Sequence, residues 1–386
     1  MKILSYQYYI TQILRIFVTV SIFMSIAGCA LLSGGTEKPE PAELGVNVPI
    51  LGVRQAWIAR LGSEGSSQLA PHVSGMIVTL ASADGVVAAV DARTGAYVWQ
   101  LNLGMSLVAG VGSDGQWTAV VSKDNELIVL EAGLEQWRHR LPAQVYTAPF
   151  VAGGRVFILA ADRTVIAFDV ASGRRLWSQS RSGDALILHQ PGVLFALGDN
   201  LIAGVSGRLV SLNPNTGVVR WEVLVASPRG INDVERLVEL VGPVSRVDES
   251  VCVRAFQTAI GCVDTSGAKT QWTQLSSGVV GLDGDNSIVY GSQSNGVVSA
   301  WSRKDGYRIW SSERLQYRNL TAPLLLGRSV VIGDDSGLVH FLSRDDGMPL
   351  NRVVTDGSGI VISPVVAADT LIVITRKGNV FGFRPD

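Results

Sequence analysis

Apolar and polar positions alternate along this chain in short runs, and the runs repeat. The stretch Ala148 to Trp177, "APFVAGGRVFILAADRTVIAFDVASGRRLW", shows the unit. An Ala-Pro opening leads into a short apolar segment, and a Gly-Gly turn leads into a strand over Arg155 to Ala160. A polar turn leads to a third strand, Val165 to Phe168, and an Asp-x-x-Ser-Gly turn to a fourth, Arg174 to Ser178. Further copies open at Ala70-Pro71, Ala322-Pro323 and Ser363-Pro364. Four short strands joined by hairpin turns in about 40 residues predict one blade of a β-propeller.

The fourth strand carries a tryptophan. Trp57, Trp99, Trp137, Trp177, Trp221, Trp272 and Trp310 stand 42, 38, 40, 44, 51 and 38 residues apart. Another 40 residues lead to Leu350 in "RDDGMPL", the same turn with its aromatic replaced. Trp117 and Trp301 fall outside this register. Before the tryptophans stand "DARTGAYVW", "DVASGRRLW", "NPNTGVVRW", "DTSGAKTQW" and "SRKDGYRIW". The Asp or Asn side chain can accept hydrogen bonds from turn amides, and Gly supplies the positive φ that closes the hairpin. A single four-stranded sheet cannot cover its own faces, so each tryptophan is expected between one sheet and the next.

The two chain ends supply complementary strands. Thr370 to Asp386 holds two strands of a blade but no final tryptophan strand, and Arg54 to Gly62, "RQAWIARLG", holds one. The expected architecture is therefore all-β. It is an eight-bladed propeller of four-stranded antiparallel blades, with the N-terminal strand completing the last blade. Seven blades remain the alternative, because "KDNELIVLEAGLEQW" (Lys123 to Trp137) has a shortened turn.

Composition agrees. Of 386 residues, 47% are hydrophobic and 17% charged, so core material is ample; a net charge of −1 offers nothing to nucleic acid. The N-terminus reads as a targeting segment. Lys2 and Arg15 precede the apolar run Ile16 to Ile26, which is too short for a comfortable membrane span. "SIAGCA", Ser25 to Ala30, is similar to the bacterial lipobox. That similarity implies a signal peptide over 1–28, lipidation (palmitate included) of Cys29, and, with Ala30 next, an outer-membrane address. Residues 29–49 read as a flexible tether and 50–386 as the propeller.

Catalytic chemistry finds little footing. His72, His139, His189 and His340 lack metal-ligand spacing, and "DGDNS" (Asp283 to Ser287) lacks the Gly and Glu of a calcium loop. Asp334 and Asp335 read as a solvated hairpin turn. Cys252 and Cys262 fall on adjacent antiparallel strands flanking a turn near Gln257 and Thr258, so an oxidising compartment would permit a disulfide; the alternative is two buried thiols.

The turn phrase resembles the repeat of the quinoprotein dehydrogenases and of the BamB family of outer-membrane assembly lipoproteins. The dehydrogenases use a longer chain and a vicinal Cys-Cys pair, which is absent here. The BamB resemblance covers essentially the whole chain. It implies a non-catalytic scaffold of the β-barrel assembly (BAM) complex that carries no cofactor. It also implies binding to BamA beside the other BAM subunits, near unfolded outer-membrane proteins, on the periplasmic face of the outer membrane. The rival is a quinone (PQQ)-dependent periplasmic dehydrogenase.

The resemblance also points to contact residues. "INDVERLVEL", Ile231 to Leu240, resembles the family's loop after the central tryptophan and explains the 51-residue interval. It places Arg236 and Glu239 at the BamA contact, both expected to be exposed. "ALILH", Ala185 to His189, supplies Leu186 and Leu188, which fit either an exposed apolar anchor or the first strand of a blade. His189 and Val241 depart from the family pattern, standing where Arg and a second acidic residue are expected.

Overall fold

Short Val-rich runs punctuated by Gly and Asp become strands and tight hairpins throughout. The computed structural model describes residues 39–63, 69–181, 188–228 and 238–386, and among these there are eight four-stranded antiparallel sheets and no helix. Blade 1 comprises β2 (His72–Ser74), β3 (Ile77–Ala81), β4 (Val86–Asp91) and β5 (Tyr97–Asn102). Blade 2 spans Leu107 to Arg140, blade 3 Phe150 to Gln179, blade 4 Leu194 to Leu224, blade 5 Leu240 to Leu275, blade 6 Leu282 to Ser312 and blade 7 Leu324 to Val354. In blade 8, β30 (Val365–Ala367), β31 (Thr370–Ile374) and β32 (Asn379–Pro385) are completed by β1 (Val53–Arg60), which pairs antiparallel with β32. The second and third strands of each blade are almost wholly buried, while the fourth strands expose alternate residues. The expected ring and its N-terminal closure are therefore present.

The shortened turn of blade 2 is sound. Glu131 pairs directly with Leu134 across a two-residue hairpin in which Ala132 (φ 48°) and Gly133 (φ 81°) both take the left-handed conformation.

The tryptophans sit in the seams between blades. The indole N–H of Trp57 donates to Ala92 O (2.9 Å), of Trp137 to Val170 O (2.7 Å), and of Trp177 to Pro214 O (2.9 Å). Trp272 donates to Arg303 O (2.7 Å) and Trp310 to Arg344 O (3.0 Å). Each acceptor is the second residue of the next blade's third turn. The glycine of that turn lies flat under the ring: a Cβ on Gly95 would meet Trp57 at 2.6 Å, and one on Gly217 would meet Trp177 at 2.5 Å. Glycine is thus required for its φ and for clearance of the ring. Blade 5 departs from the written phrase. The residue four before Trp272 is Ala268, and it, not Gly267, holds the positive φ (46°).

The eighth position also shifts by one residue. Phe341 faces Asn351 just as Ala300 faces Trp310, each beside a β-bulge. Asn351, not Leu350, is therefore the counterpart of the tryptophans. Blade 8 has no covalent third turn, since its third strand ends near Asp386 and its fourth begins at Val53. Residues 41–52 take that place. Asn351 Nδ2 donates to Leu51 O (2.7 Å), and Ile50 N to Leu350 O (2.8 Å). Further back, Ala42 N donates to Gln316 O (2.9 Å) and Arg318 Nη2 to Ala42 O (3.0 Å). From Pro41 onward the chain belongs to the ring's compact unit, so the later part of the segment read as tether is strapped to blades 6 and 7. Its earlier part and Cys29 lie outside the described residues.

One polar expectation needs correction, and one open alternative is decided. Asp334 is fully buried, not solvated. It bonds His340 Nε2 at 2.9 Å and Arg318 Nη1 at 3.3 Å, and accepts from Ser336 N and Leu338 N. Burial opposes its ionisation, but these donors hold the carboxyl below its usual range. Cys252 and Cys262 face each other across the strand pair and form a disulfide in a core with Trp272 and Trp301.

Candidate partner-binding corner of blades 3 to 5

Glu239 precedes the first strand of blade 5, β18 (Leu240–Val247), at the end of the inserted loop. Its backbone carbonyl accepts from Phe256 N (2.9 Å) in blade 5's own second turn. Its carboxylate reaches two other blades: Oε1 pairs with Arg163 Nη2 (3.2 Å) in the second turn of blade 3, and Oε2 accepts from Ser206 N (3.4 Å) in that of blade 4. The two side chains are only 16% and 10% exposed. This corrects the expectation of an exposed acid. Glu239 fastens three blades together at one corner. Burial raises its pKa, and Arg163 pulls the other way.

Leu188 lies in the connection between blades 3 and 4, before the first strand of blade 4 begins at Leu194, so it is not part of a blade strand. It is half-buried and borders a recess of ≈ 50 Å³ together with Tyr146, Arg163, Glu239 and Val241. His189 beside it is exposed and stacks on Tyr146, ring centroids 4.6 Å apart. Val241 is buried and pairs with Arg254 inside blade 5, where a second carboxylate would be desolvated. The structure thus brings Leu188 and Glu239 to one site; Leu186 and Arg236 lie outside the described residues. Sequence reasoning missed Arg163 and Tyr146. Arg163 (φ 66°) reads only as a polar turn residue, and its partner is 76 residues away.

Two features of this corner suit a docking surface. A polar network holds the connecting backbone rigid from beneath, and an apolar residue stands half-exposed above it. Among the described residues no three His, Cys, Asp or Glu side chains converge as a metal site would need.

A sequence profile described as outer membrane protein assembly factor BamB matches residues 83–312. A relative in Burkholderia pseudomallei with that description is 37% identical, covering 93% of this chain and 94% of its own. This chain belongs to the BamB family. A member from Bordetella pertussis is 36% identical over 95% of this chain and 96% of its own. The crystal structure of BamB from Moraxella catarrhalis superposes with a TM-score of 0.79 at 23% identity, covering 86% of this chain and 99% of that one. A quinohemoprotein alcohol dehydrogenase from Comamonas testosteroni shares the fold as well, with a TM-score of 0.67 at 15% identity over 89% of this chain and 78% of its own. The propeller alone therefore does not separate assembly factor from oxidoreductase, whereas family membership supports the assembly factor.

Proposed function

We propose that this chain is an outer-membrane protein assembly factor: a non-catalytic, lipid-anchored scaffold that faces the periplasm and binds the barrel-forming subunit BamA within the BAM complex. The observation that carries the reading is membership of the BamB family over nearly the full length of the chain. Lipidation at Cys29 would hold the ring at the membrane, since each buried methylene contributes about 0.8 kcal/mol. The corner around Leu188 and Glu239, with Leu186 and Arg236, is the proposed BamA contact. Leu188 supplies apolar area, and Glu239 with Arg163 fixes the backbone on which the loop is presented.

Co-purification from cross-linked membranes tests the contact. Leu188→Asp should abolish BamA capture while leaving the circular dichroism of the ring unchanged; full capture by the variant refutes this surface. Labelling with radioactive palmitate should fail in Cys29→Ser. Oxidation of alcohols after addition of PQQ and calcium would overturn the non-catalytic reading.

The outer strands suggest how unfolded outer-membrane proteins are held. Leu134, Val218, Tyr307 and Val354 on or beside fourth strands are 62–74% exposed, as 69%, 62%, 74% and 65%. Apolar edge strands can accept an extended client segment by β-augmentation. Strand-like peptides from barrel proteins should bind saturably; absence of binding removes this step.

A further inference from the structure

The third strand of blade 8 ends at Pro385 and its fourth begins at Val53, with no covalent turn between them. Both residues line a cavity of ≈ 360 Å³ that opens between blades 7 and 8. Its apolar walls are Leu51, Val53, Leu326, Phe341, Val366 and Phe383, all part of one cluster running between the two blades. An apolar cavity of about 150 Å³ holds one six-carbon ring, so this one has room for roughly a dozen carbons.

One end of the cavity is polar. Ser329 lines it and is only 1% exposed, and its hydroxyl has no hydrogen-bond partner among the described residues. Ser329 shares a face of blade 7's second strand (Ser329–Gly333) with Val331, which packs in the same cluster, so its side chain faces blade 8. A buried hydroxyl left unpaired is destabilising. With no bond to break, it is free to turn toward an acceptor inside the cavity. Beside it stands the exposed Arg328, whose Nη2 donates to Ile50 O at 3.3 Å. The other charged residues of the lining are already engaged: Arg384 pairs with Asp369 at 3.7 Å and donates to Arg93 O at 2.7 Å, on the blade 1 side.

We propose that this cavity binds a single saturated acyl chain, with the acyl oxygens held by Ser329 and Arg328. A methylene chain bends to follow Leu, Val and Phe walls between two sheets, and one oxygen-bearing terminus matches the one polar end. The acyl source rests on the proposed function, which sets the ring at a membrane. The cavity lies apart from the corner of blades 3 to 5, so BamA capture and acyl binding are measured separately and can fail independently.

The test is an NMR titration of the mature chain carrying Cys29→Ser, so that no acyl anchor of its own competes, labelled with 13C at Val and Leu methyls. The probes are dodecanoate and dodecanoyl-lysophosphatidylglycerol, each below its micellar concentration, with butanoate, dodecyltrimethylammonium and N-acetyl-tryptophanamide as controls. Methyls of Leu51, Val53, Leu326 and Val366 should shift saturably with an acyl probe. A response to dodecanoate alone assigns the site to free fatty acid, and a response to the lysolipid alone assigns it to a membrane lipid. Each control should bind at least about tenfold more weakly, through loss of apolar area or of the charge-assisted bond. Val366→Trp, which narrows the cavity, and Arg328→Glu, which reverses the charge at its mouth, should each weaken acyl binding by about tenfold or more. Arg328 is exposed, so its variant keeps the test decisive if Val366→Trp folds poorly. Unmoved cavity methyls, equal binding of the cationic amphiphile or of the tryptophan amide, or full affinity in Arg328→Glu overturns the proposal.

Discussion

Adding one methyl group under one indole should loosen the whole ring. Gly217 closes the third turn of blade 4 with φ +74°, and a Cβ there would sit 2.5 Å from Trp177 Cε3. In Gly217→Ala the left-handed conformation alone costs about 1–2 kcal/mol for an L-residue. The ring must also retreat by about 1 Å to reach ordinary contact, and forcing extra volume into a packed interface costs about 1–3 kcal/mol. Retreat lengthens the Trp177 Nε1 bond to Pro214 O, now 2.9 Å, at up to about 1 kcal/mol. A loss of roughly 3–5 kcal/mol is expected. Blade 5 supplies the internal control. Ala268 already holds a positive φ (46°) at the same turn position, so Ala268→Gly should relieve backbone strain and stabilise by about 0.5–1 kcal/mol. Guanidinium unfolding followed by tryptophan fluorescence reads both, since the indoles report on the seams. A Gly217→Ala variant within 1 kcal/mol of wild type, or a markedly destabilised Ala268→Gly, would refute the claim that turn glycines exist to clear the indoles.

Three further outcomes are expected. Reduction of Cys252–Cys262 opens a sequence separation of 10 residues and should cost about 2–3 kcal/mol, read as a lower unfolding midpoint in dithiothreitol; an unchanged midpoint under confirmed reduction would refute it. Arg254 is fully buried with no carboxylate partner among the described residues, and burial lowers its pKa to about 9. The unfolded chain then binds more protons than the folded one above about pH 9, so wild-type stability relative to Arg254→Met should rise with pH there, and the variant should be more stable by about 1–4 kcal/mol at neutral pH. Asp334 has a lowered pKa, so the stability that it contributes is present above the usual carboxylate range and lost as pH falls through its folded value. Asp334→Asn should flatten the acid limb of a stability-versus-pH curve, and an unchanged limb would exclude Asp334 as its source.

How far the sequence could be read depended on whether a residue announces its partner. Tryptophan is rare and large, so seven seams were legible from spacing alone. Asn351 fills the same position with a residue common in any turn, and the count stopped one residue short at Leu350. Ring closure was legible because Arg54 to Gly62 and Thr370 to Asp386 are each incomplete alone. The opposition of Cys252 and Cys262 was legible from the hairpin turn near Gln257 and Thr258, whereas the choice between a bridge and two thiols was not. Glu239 and Asp334 were misread for one reason: burial of a carboxylate depends on donors from distant positions, and neither Arg163 nor Arg318 is marked by local pattern. The family resemblance assigned Glu239 a surface role at a partner contact, while the structure gives it the task of joining three turns.

These positions divide the labour of the ring. Blade 4, the centre of the corner that holds Leu188 and Glu239, is four blades from blade 8, half a turn away. Five of the eight seams are pinned by an indole hydrogen bond, and buried apolar clusters run across them, so blades 4 and 8 keep a fixed separation. The strap over residues 41–52 lies on the blade 6 to 8 side, with Ala42 bonded to Gln316 and Leu51 to Asn351. Replacing the eighth covalent turn by the strap therefore does two things at once. It closes the ring without a chain connection, and it fastens residues 41–52 to blades 6 and 7.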